Sequence, residues 1–162
     1  LHFGMNVEDI IKGVADFAPT GMRQKEIEIN GIKMIEDCYN ANPDSMKAAM
    51  STLGAQKLPD GAQKIAVLGD MLELGTVAES SHYEIGKLVA EKADLLFCYG
   101  ELSRYIAAGA WRNGMEKAFH FETKEELSEN LRKIAKSGDM VWLKASRGMR
   151  FEDIAEAFYE ET

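Results

Sequence analysis

Residues 37–46 read Asp37-Cys38-Tyr39-Asn40-Ala41-Asn42-Pro43-Asp44-Ser45-Met46, a polar run set between an apolar stretch and a helical one. Upstream, Ile32, Met34 and Ile35, with Tyr39, suggest a strand. Downstream, Met46, Ala49, Met50 and Leu53 recur at helical spacing. Pro43 suits the first position of a helix, where a missing N–H costs nothing, and Asn42 suits the N-cap. The run is therefore a short strand-to-helix loop that aims backbone N–H groups and a positive helix end at whatever lies above it. Taken alone, the segment is explained equally well as a capped turn with no ligand.

Outward from this loop the chain alternates. Lys25 to Ile29 and Ile32 to Asp37 flank Asn30-Gly31, a pair favoured in tight hairpins, so the sheet opens with an antiparallel pair. Ile65 to Leu68, Leu95 to Tyr99 and Met140 to Leu143 are short, nearly all-apolar runs of the type buried on both faces by helices, and Ala118 to Phe121 offers a further strand. Between and after them lie helical stripes: Ile85, Leu88 and Val89; Leu127, Leu131 and Ile134; Phe151, Ile154, Ala155 and Phe158. The expected fold class is α/β: an open, Rossmann-like, mostly parallel sheet with helices on both faces and an antiparallel hairpin at its start. In such sheets ligands bind beyond the carboxyl ends of the strands. Three polar segments fall there: Asp37 to Asn42, Gly69 to Gly75, and Lys144 to Arg150.

A chain of 162 residues with 46% hydrophobic content fits one globular domain with a sizeable core. A formal net charge of −8 argues against nucleic acid as a partner, because a phosphate backbone calls for a basic face. Cys38 and Cys98 lack metal or redox spacing and read as buried, reduced thiols, which suits the cytoplasm. His2, His82 and His120 show no zinc-ligand spacing. No apolar run approaches membrane-spanning length, and the opening residues lack the pattern of a secretion signal, so no membrane partner is expected. There is no internal repeat, and Leu58-Pro59-Asp60-Gly61 reads as a surface turn. After the N-cap candidate Asn6, the residues Val7, Ile10, Ile11, Val14 and Phe17 form an apolar helical stripe ending before Pro19. Residues 1–17 are expected to be a terminal helix belonging to a preceding domain and prone to self-association, with the main domain at 18–162.

The first segment, together with Val67-Leu68-Gly69-Asp70-Met71-Leu72-Glu73-Leu74-Gly75 followed by His82, and Lys144-Ala145-Ser146-Arg147-Gly148-Met149-Arg150, resembles in order the signatures of the Mur ligase carboxyl-terminal domain. Within that family the resemblance is to the D-alanyl-D-alanine-adding ligases, and it spans nearly the whole chain. It implies an enzyme of peptidoglycan synthesis that joins D-alanyl-D-alanine to UDP-N-acetylmuramoyl-tripeptide. ATP and Mg2+ would be its cofactors, and the peptide carboxylate would be activated as an acyl phosphate that the incoming amine attacks. No Gly-x-x-x-x-Gly-Lys-Ser/Thr occurs in the chain, so it lacks the cradle for phosphates and magnesium. The resemblance therefore implies a carboxyl-terminal domain whose partners are the central and amino-terminal domains of the same polypeptide. Alone it would be inactive and hold no cofactor tightly. The alternative is a stand-alone α/β module that binds a small anion or regulates another protein, since one fold hosts many functions.

The resemblance also implies residue roles. Arg23 would approach the γ-phosphate, a task suited to a planar, permanently charged fork; here the order is Gly21-Met22-Arg23, whereas family members often place glycine directly before the arginine. Lys144 would join Arg23 as a catalytic cation and, with Ser146 and Arg147, hold the dipeptide carboxylate. Ala145 stands where the family usually has glycine. Asp37, Tyr39, Asn40 and Asn42 would face the nucleotide, although capping alone explains Asn42. Asp70 and Glu73, which follow a buried strand, would orient the dipeptide amine or a neighbouring loop, while His82 reads as a packing or capping residue and Arg150 as a solvated neighbour of the cluster. No metal ligand is expected among these residues.

Overall fold

A computed structural model of the chain describes residues 6–15 and 23–159. Six strands and six α-helices follow one another in the order α1 (Val7–Ala15), β1 (Lys25–Ile29), β2 (Ile32–Asp37), α2 (Pro43–Ala55), β3 (Lys64–Gly69), α3 (Ala78–Lys92), β4 (Leu95–Tyr99), α4 (Ser103–Arg112), β5 (Ala118–Phe121), α5 (Lys124–Ile134), β6 (Met140–Lys144) and α6 (Glu152–Tyr159). The sheet order is β1-β2-β6-β3-β4-β5. Only β1 runs antiparallel, paired with β2 through the turn at Asn30 and Gly31, both of which have positive φ.

The apolar residues of the sheet alternate between two cores. On one face Ile35, Ala66, Leu68, Leu96, Cys98 and Trp142 pack with Met46, Met50 and Leu53 of α2, Ile85 and Val89 of α3, and Ile106 and Ala110 of α4. On the other, Met34, Ile65, Val67, Phe97, Val141 and Leu143 pack with Leu127 and Leu131 of α5 and with Phe151, Ile154 and Phe158 in and just before α6. Each large side chain so buried contributes about 1.5–3 kcal/mol of transfer free energy. The expected α/β fold is the observed one. Ile134, read as part of the α5 stripe, is 41% exposed and lies at the last turn of its helix.

Helix α4 was not singled out by periodicity. Its buried face is Ser103, Ile106, Gly109 and Ala110, small residues that make a weak stripe. They are small because α3 and α4 meet backbone to backbone: a Cβ on Gly86 would lie 2.0 Å from the Ile106 carbonyl oxygen, and one on Gly109 would lie 2.3 Å from that of Tyr83.

The placement of helices sets where a ligand can enter. Strand β6 lies between β2 and β3. The chain leaves β2 and β3 for helices on one face and leaves β6 for a helix on the other. Loops that part in opposite directions open a crevice at the carboxyl ends of neighbouring parallel strands. Here β6 has such a crevice on each side.

Helix α1 begins at the expected cap, with the Asp9 N–H donating to Asn6 Oδ1 at 2.8 Å. Val7 and Ile11 are 61% and 63% exposed. Ile10, also of the expected stripe, is exposed, while the side chain of Val14 and all of Phe17 lie outside what is described, as do Leu1, Phe3, Met5, Pro19, Gly21 and Met22. Among the described residues no helix is long and apolar enough to cross a membrane.

Candidate functional site

The end of β2 and the end of β6 are level: Asp37 faces Lys144 in the parallel register. Lys144 Nζ donates to Asp37 Oδ2 at 2.7 Å and to the Asn40 carbonyl oxygen at 2.9 Å. The lysine side chain is 2% exposed and the aspartate 10%. A lysine placed so deep needs a counter-ion, because burying an unpaired charge costs several kcal/mol, roughly. The pair therefore fixes the first turn of the 37–42 loop. Lys144, expected to reach a substrate carboxylate, pairs here with Asp37 and pins Asn40.

Asn42 and Ser45 form a reciprocal cap at the start of α2, with Ser45 N–H donating to Asn42 Oδ1 at 2.9 Å and Asn42 N–H donating to Ser45 Oγ at 3.1 Å. The side-chain oxygen of Asn42 is thus committed to the helix. Between these two fixed points the loop presents Tyr39, 42% exposed. It is not a core residue. The guanidinium carbon of Arg23 lies 4.4 Å from its ring centroid and that of Arg147 lies 5.7 Å from it. Such cation–π contacts are worth about 0.5–1 kcal/mol at exposed sites, enough to order the arginines without consuming their hydrogen-bond donors. Neither arginine has a carboxylate at ion-pair distance among the described residues.

A cavity of about 410 Å³ lies beside Arg23 and the Asp37–Lys144 pair. It brings together four expected residues, Arg23, Asp37, Asn40 and Lys144, with Gln24, Ser45 and Ala48, which the sequence did not single out. Gln24 carries φ +50°, a left-handed backbone at a non-glycine residue that no local composition signals.

The second segment sits on the other side of β6. Asp70 is buried, and its Oδ1 accepts from the Leu102 and Ser103 N–H groups at 3.1 and 2.7 Å, so it caps α4 from outside the helix. Gly100, with φ +125°, leaves it room: a Cβ there would lie 2.4 Å from Asp70 Oδ1. His82 is fully buried, and its Nε2 accepts the Met71 N–H at 2.9 Å. Glu73 is exposed at φ +67°.

Ser146 joins the segments. Its N–H donates to the Asp70 carbonyl oxygen at 3.1 Å, its Oγ accepts the Leu72 N–H at 2.9 Å, and its hydroxyl lies 3.5 Å from the Ala41 carbonyl oxygen. Ala145 beside it is fully buried and outside the positive-φ set, so a side chain is accommodated there without backbone strain. Arg150 is exposed, has φ +52°, and pairs with Asp153. Among the described residues no three or more His, Cys, Asp or Glu gather so as to hold a metal ion.

A further cavity of about 390 Å³ lies at the ends of β4 and β5, walled by Tyr99, Arg104, His120 and Phe121, and takes in none of the expected site residues. The two cysteines are free and buried, far from any reactive role. Burial, with Glu36 and Asp37 nearby, pushes the Cys38 thiol up to about 12, and burial also pushes the Cys98 thiol up.

The chemistry of the first cavity is that of an anion site with an aromatic platform. Arg23, in its wall, lies over the Tyr39 ring, which Arg147 also approaches, while Lys144, buried in the same wall, is already paired with Asp37. Bidentate donors of this type suit phosphate or carboxylate oxygens, and the ring offers a face to a planar group.

Comparison with known proteins identifies the family. Residues 22–147 match the family of the Mur ligase glutamate ligase domain. The UDP-N-acetylmuramoyl-tripeptide–D-alanyl-D-alanine ligase of Bacillus subtilis is 39% identical over 162 residues, covering 98% of this chain and 35% of that enzyme. A crystal structure of MurF from Acinetobacter baumannii superposes with a TM-score of 0.82 at 29% identity, covering 98% of this chain and 35% of that one. MurF from Thermotoga maritima in complex with ADP gives a TM-score of 0.78 at 27% identity, covering 93% and 33%. The chain thus spans about a third of the length of the relatives it matches. It belongs to the Mur ligase family and carries that family's glutamate ligase domain.

Proposed function

We propose that this chain is the substrate- and nucleotide-closing part of a cytoplasmic, ATP-dependent ligase that adds D-alanyl-D-alanine to UDP-N-acetylmuramoyl-tripeptide in peptidoglycan synthesis. The observation that carries the reading is the pair of guanidinium groups, Arg23 and Arg147, gathered on the Tyr39 ring with no carboxylate partner among the described residues, Arg23 also lining the Asp37–Lys144 cavity. The ADP in the Thermotoga maritima relative supports a nucleotide as the ligand. When bound, ATP with Mg2+ supplies the phosphoryl group that activates the peptide carboxylate. The chain's own residues fit the anionic part of that task. Arg23 and Arg147 offer donors to phosphate or carboxylate oxygens, Tyr39 gives a packing face, and Asn40 and Asp37 present polar atoms at the cavity wall. Lys144 acts through Asp37 and Asn40, keeping the loop in one shape while the arginines bind. The magnesium site and phosphate loop belong, on this reading, to the preceding domains, with which the chain works.

Residues 1–17 are read as the end of such a preceding domain. The match to the family begins at residue 22, beyond α1, and α1 exposes Val7, Ile10 and Ile11. A helix of this length is marginal in water unless it packs on something.

The test is ligation with UDP-N-acetylmuramoyl-tripeptide, D-alanyl-D-alanine and Mg-ATP. The full-length protein containing this chain should form product and the isolated chain none. Product from the isolated chain, or none from the full-length protein, would defeat the proposal.

A further inference from the structure

The loop after β3 holds one residue, Glu73, in a conformation its own type disfavours. It is exposed, is not glycine, and has φ +67°. Such a residue persists only where its surroundings over-determine it. Here the two residues before it are held by side chains from two other elements. The Met71 N–H donates to His82 Nε2 at 2.9 Å and the Leu72 N–H donates to Ser146 Oγ at 2.9 Å. His82, on α3, is itself fixed by a 2.7 Å contact between Nδ1 and the Ala78 carbonyl oxygen. A carbonyl can only accept, so Nδ1 carries the hydrogen and Nε2 is left as the acceptor. Ser146, on the loop after β6, is held in turn by its own N–H on the Asp70 carbonyl oxygen at 3.1 Å.

Two carboxylates of this loop were candidates for an amine. Asp70 is occupied, since its Oδ1 takes two N–H groups of α4 and Gly100 closes over it. Glu73 is exposed, and no lysine or arginine among the described residues lies at ion-pair distance from it. Ser146 Oγ lies 3.5 Å from the Ala41 carbonyl oxygen of the 37–42 loop, a far weaker contact than the 2.9 Å bond it accepts from Leu72 N–H.

We propose that His82 and Ser146 are positioning residues, which hold the Met71–Leu72 backbone so that Glu73 presents its carboxylate to the cationic amine end of the incoming dipeptide. The inference rests on the ligase reading and deepens it, assigning the amine to Glu73 alone and its alignment to two residues that never touch substrate. Neither side chain needs to move during the reaction.

A double-mutant cycle in the full-length enzyme tests this, read as the apparent KM for D-alanyl-D-alanine and for ATP. Glu73→Gln, His82→Leu and Ser146→Ala should each raise KM for the dipeptide about tenfold, the scale of one charge-assisted hydrogen bond, with KM for ATP unchanged. Combining His82→Leu or Ser146→Ala with Glu73→Gln should cost little beyond Glu73→Gln alone, because all act through one carboxylate. His82→Gln, whose side-chain oxygen can accept the Met71 N–H, should restore most of the affinity. If His82→Leu does not fold, Ser146→Ala with Glu73→Gln completes the cycle. Effects that multiply in the double variants, or an equal rise in KM for ATP, would overturn the inference while leaving the ligase reading standing. Absence of ligation by the wild-type full-length protein would overturn both.

Discussion

Lys144 and Asp37 face each other across neighbouring parallel strands and join in a 2.7 Å ion pair from which solvent is nearly excluded. Lys144 is therefore part of the support of the cavity, whereas the two arginines on Tyr39 have no carboxylate partner among the described residues.

Removing Lys144 should accordingly be felt first as instability. Lys144→Ala leaves Asp37 buried without its counter-ion and should destabilise the domain by about 3–5 kcal/mol. The double replacement of Lys144 and Asp37 by apolar residues should recover much of that loss. Denaturant unfolding of the wild type, the single and the double variant measures both; a Lys144→Ala midpoint equal to wild type would mean the pair contributes nothing.

The α3–α4 contact makes a sharper demand on one residue. Gly86→Ala would set a methyl against the backbone of α4, where the nearest atom is a carbonyl oxygen 2.0 Å away. Helices must separate to admit it, at about 1–3 kcal/mol or more. Thermal unfolding should show a lowered midpoint for Gly86→Ala and none for Gly13→Ala, where a Cβ meets nothing within 4 Å and φ is not positive; equal midpoints for wild type and Gly86→Ala would show that the helices are not in backbone contact.

The strands were legible because burial on both faces leaves them almost purely apolar, as in Ile65 to Leu68 and Met140 to Leu143. The cap was legible because Asn42-Pro43 is a local signal read by its own helix. Helix α4 was not, since close packing replaces a large apolar stripe with Gly109 and Ala110. The site was legible as three loops and not as a division of labour. Nothing in the local spacing separates Asp70, which caps a helix, from Glu73, which faces solvent; nor does it tell that Lys144 is paired while Arg147 is free of carboxylates. Those distinctions come from contacts between residues far apart in sequence, such as Asp70 with Ser103 and Asp37 with Lys144.

The thiols give a pH test. A thiol whose folded value is raised stays protonated, and unreactive, above the pH at which an exposed cysteine ionises near 8.5, roughly. Cys38, held up to about 12 by burial and by the neighbouring Glu36 and Asp37, and Cys98, raised by burial, should resist alkylation at pH 9 in the native protein. Both should react at once in denaturant. Rapid native labelling of either would contradict the burial of that strand end.

The arginine on the tyrosine ring is where the functional account is most exposed to test. Arg23 is held by a cation–π contact and not by the core, so Arg23→Ala should lower the melting temperature by no more than about 4 °C. Loss of a donor to charge that develops during phosphoryl transfer typically lowers kcat by about 100- to 1000-fold. Steady-state ligation of D-alanyl-D-alanine to UDP-N-acetylmuramoyl-tripeptide by the full-length Arg23→Ala enzyme measures this directly: the account predicts a folded protein with kcat reduced on that scale, and a folded Arg23→Ala enzyme turning over at the wild-type rate would contradict it.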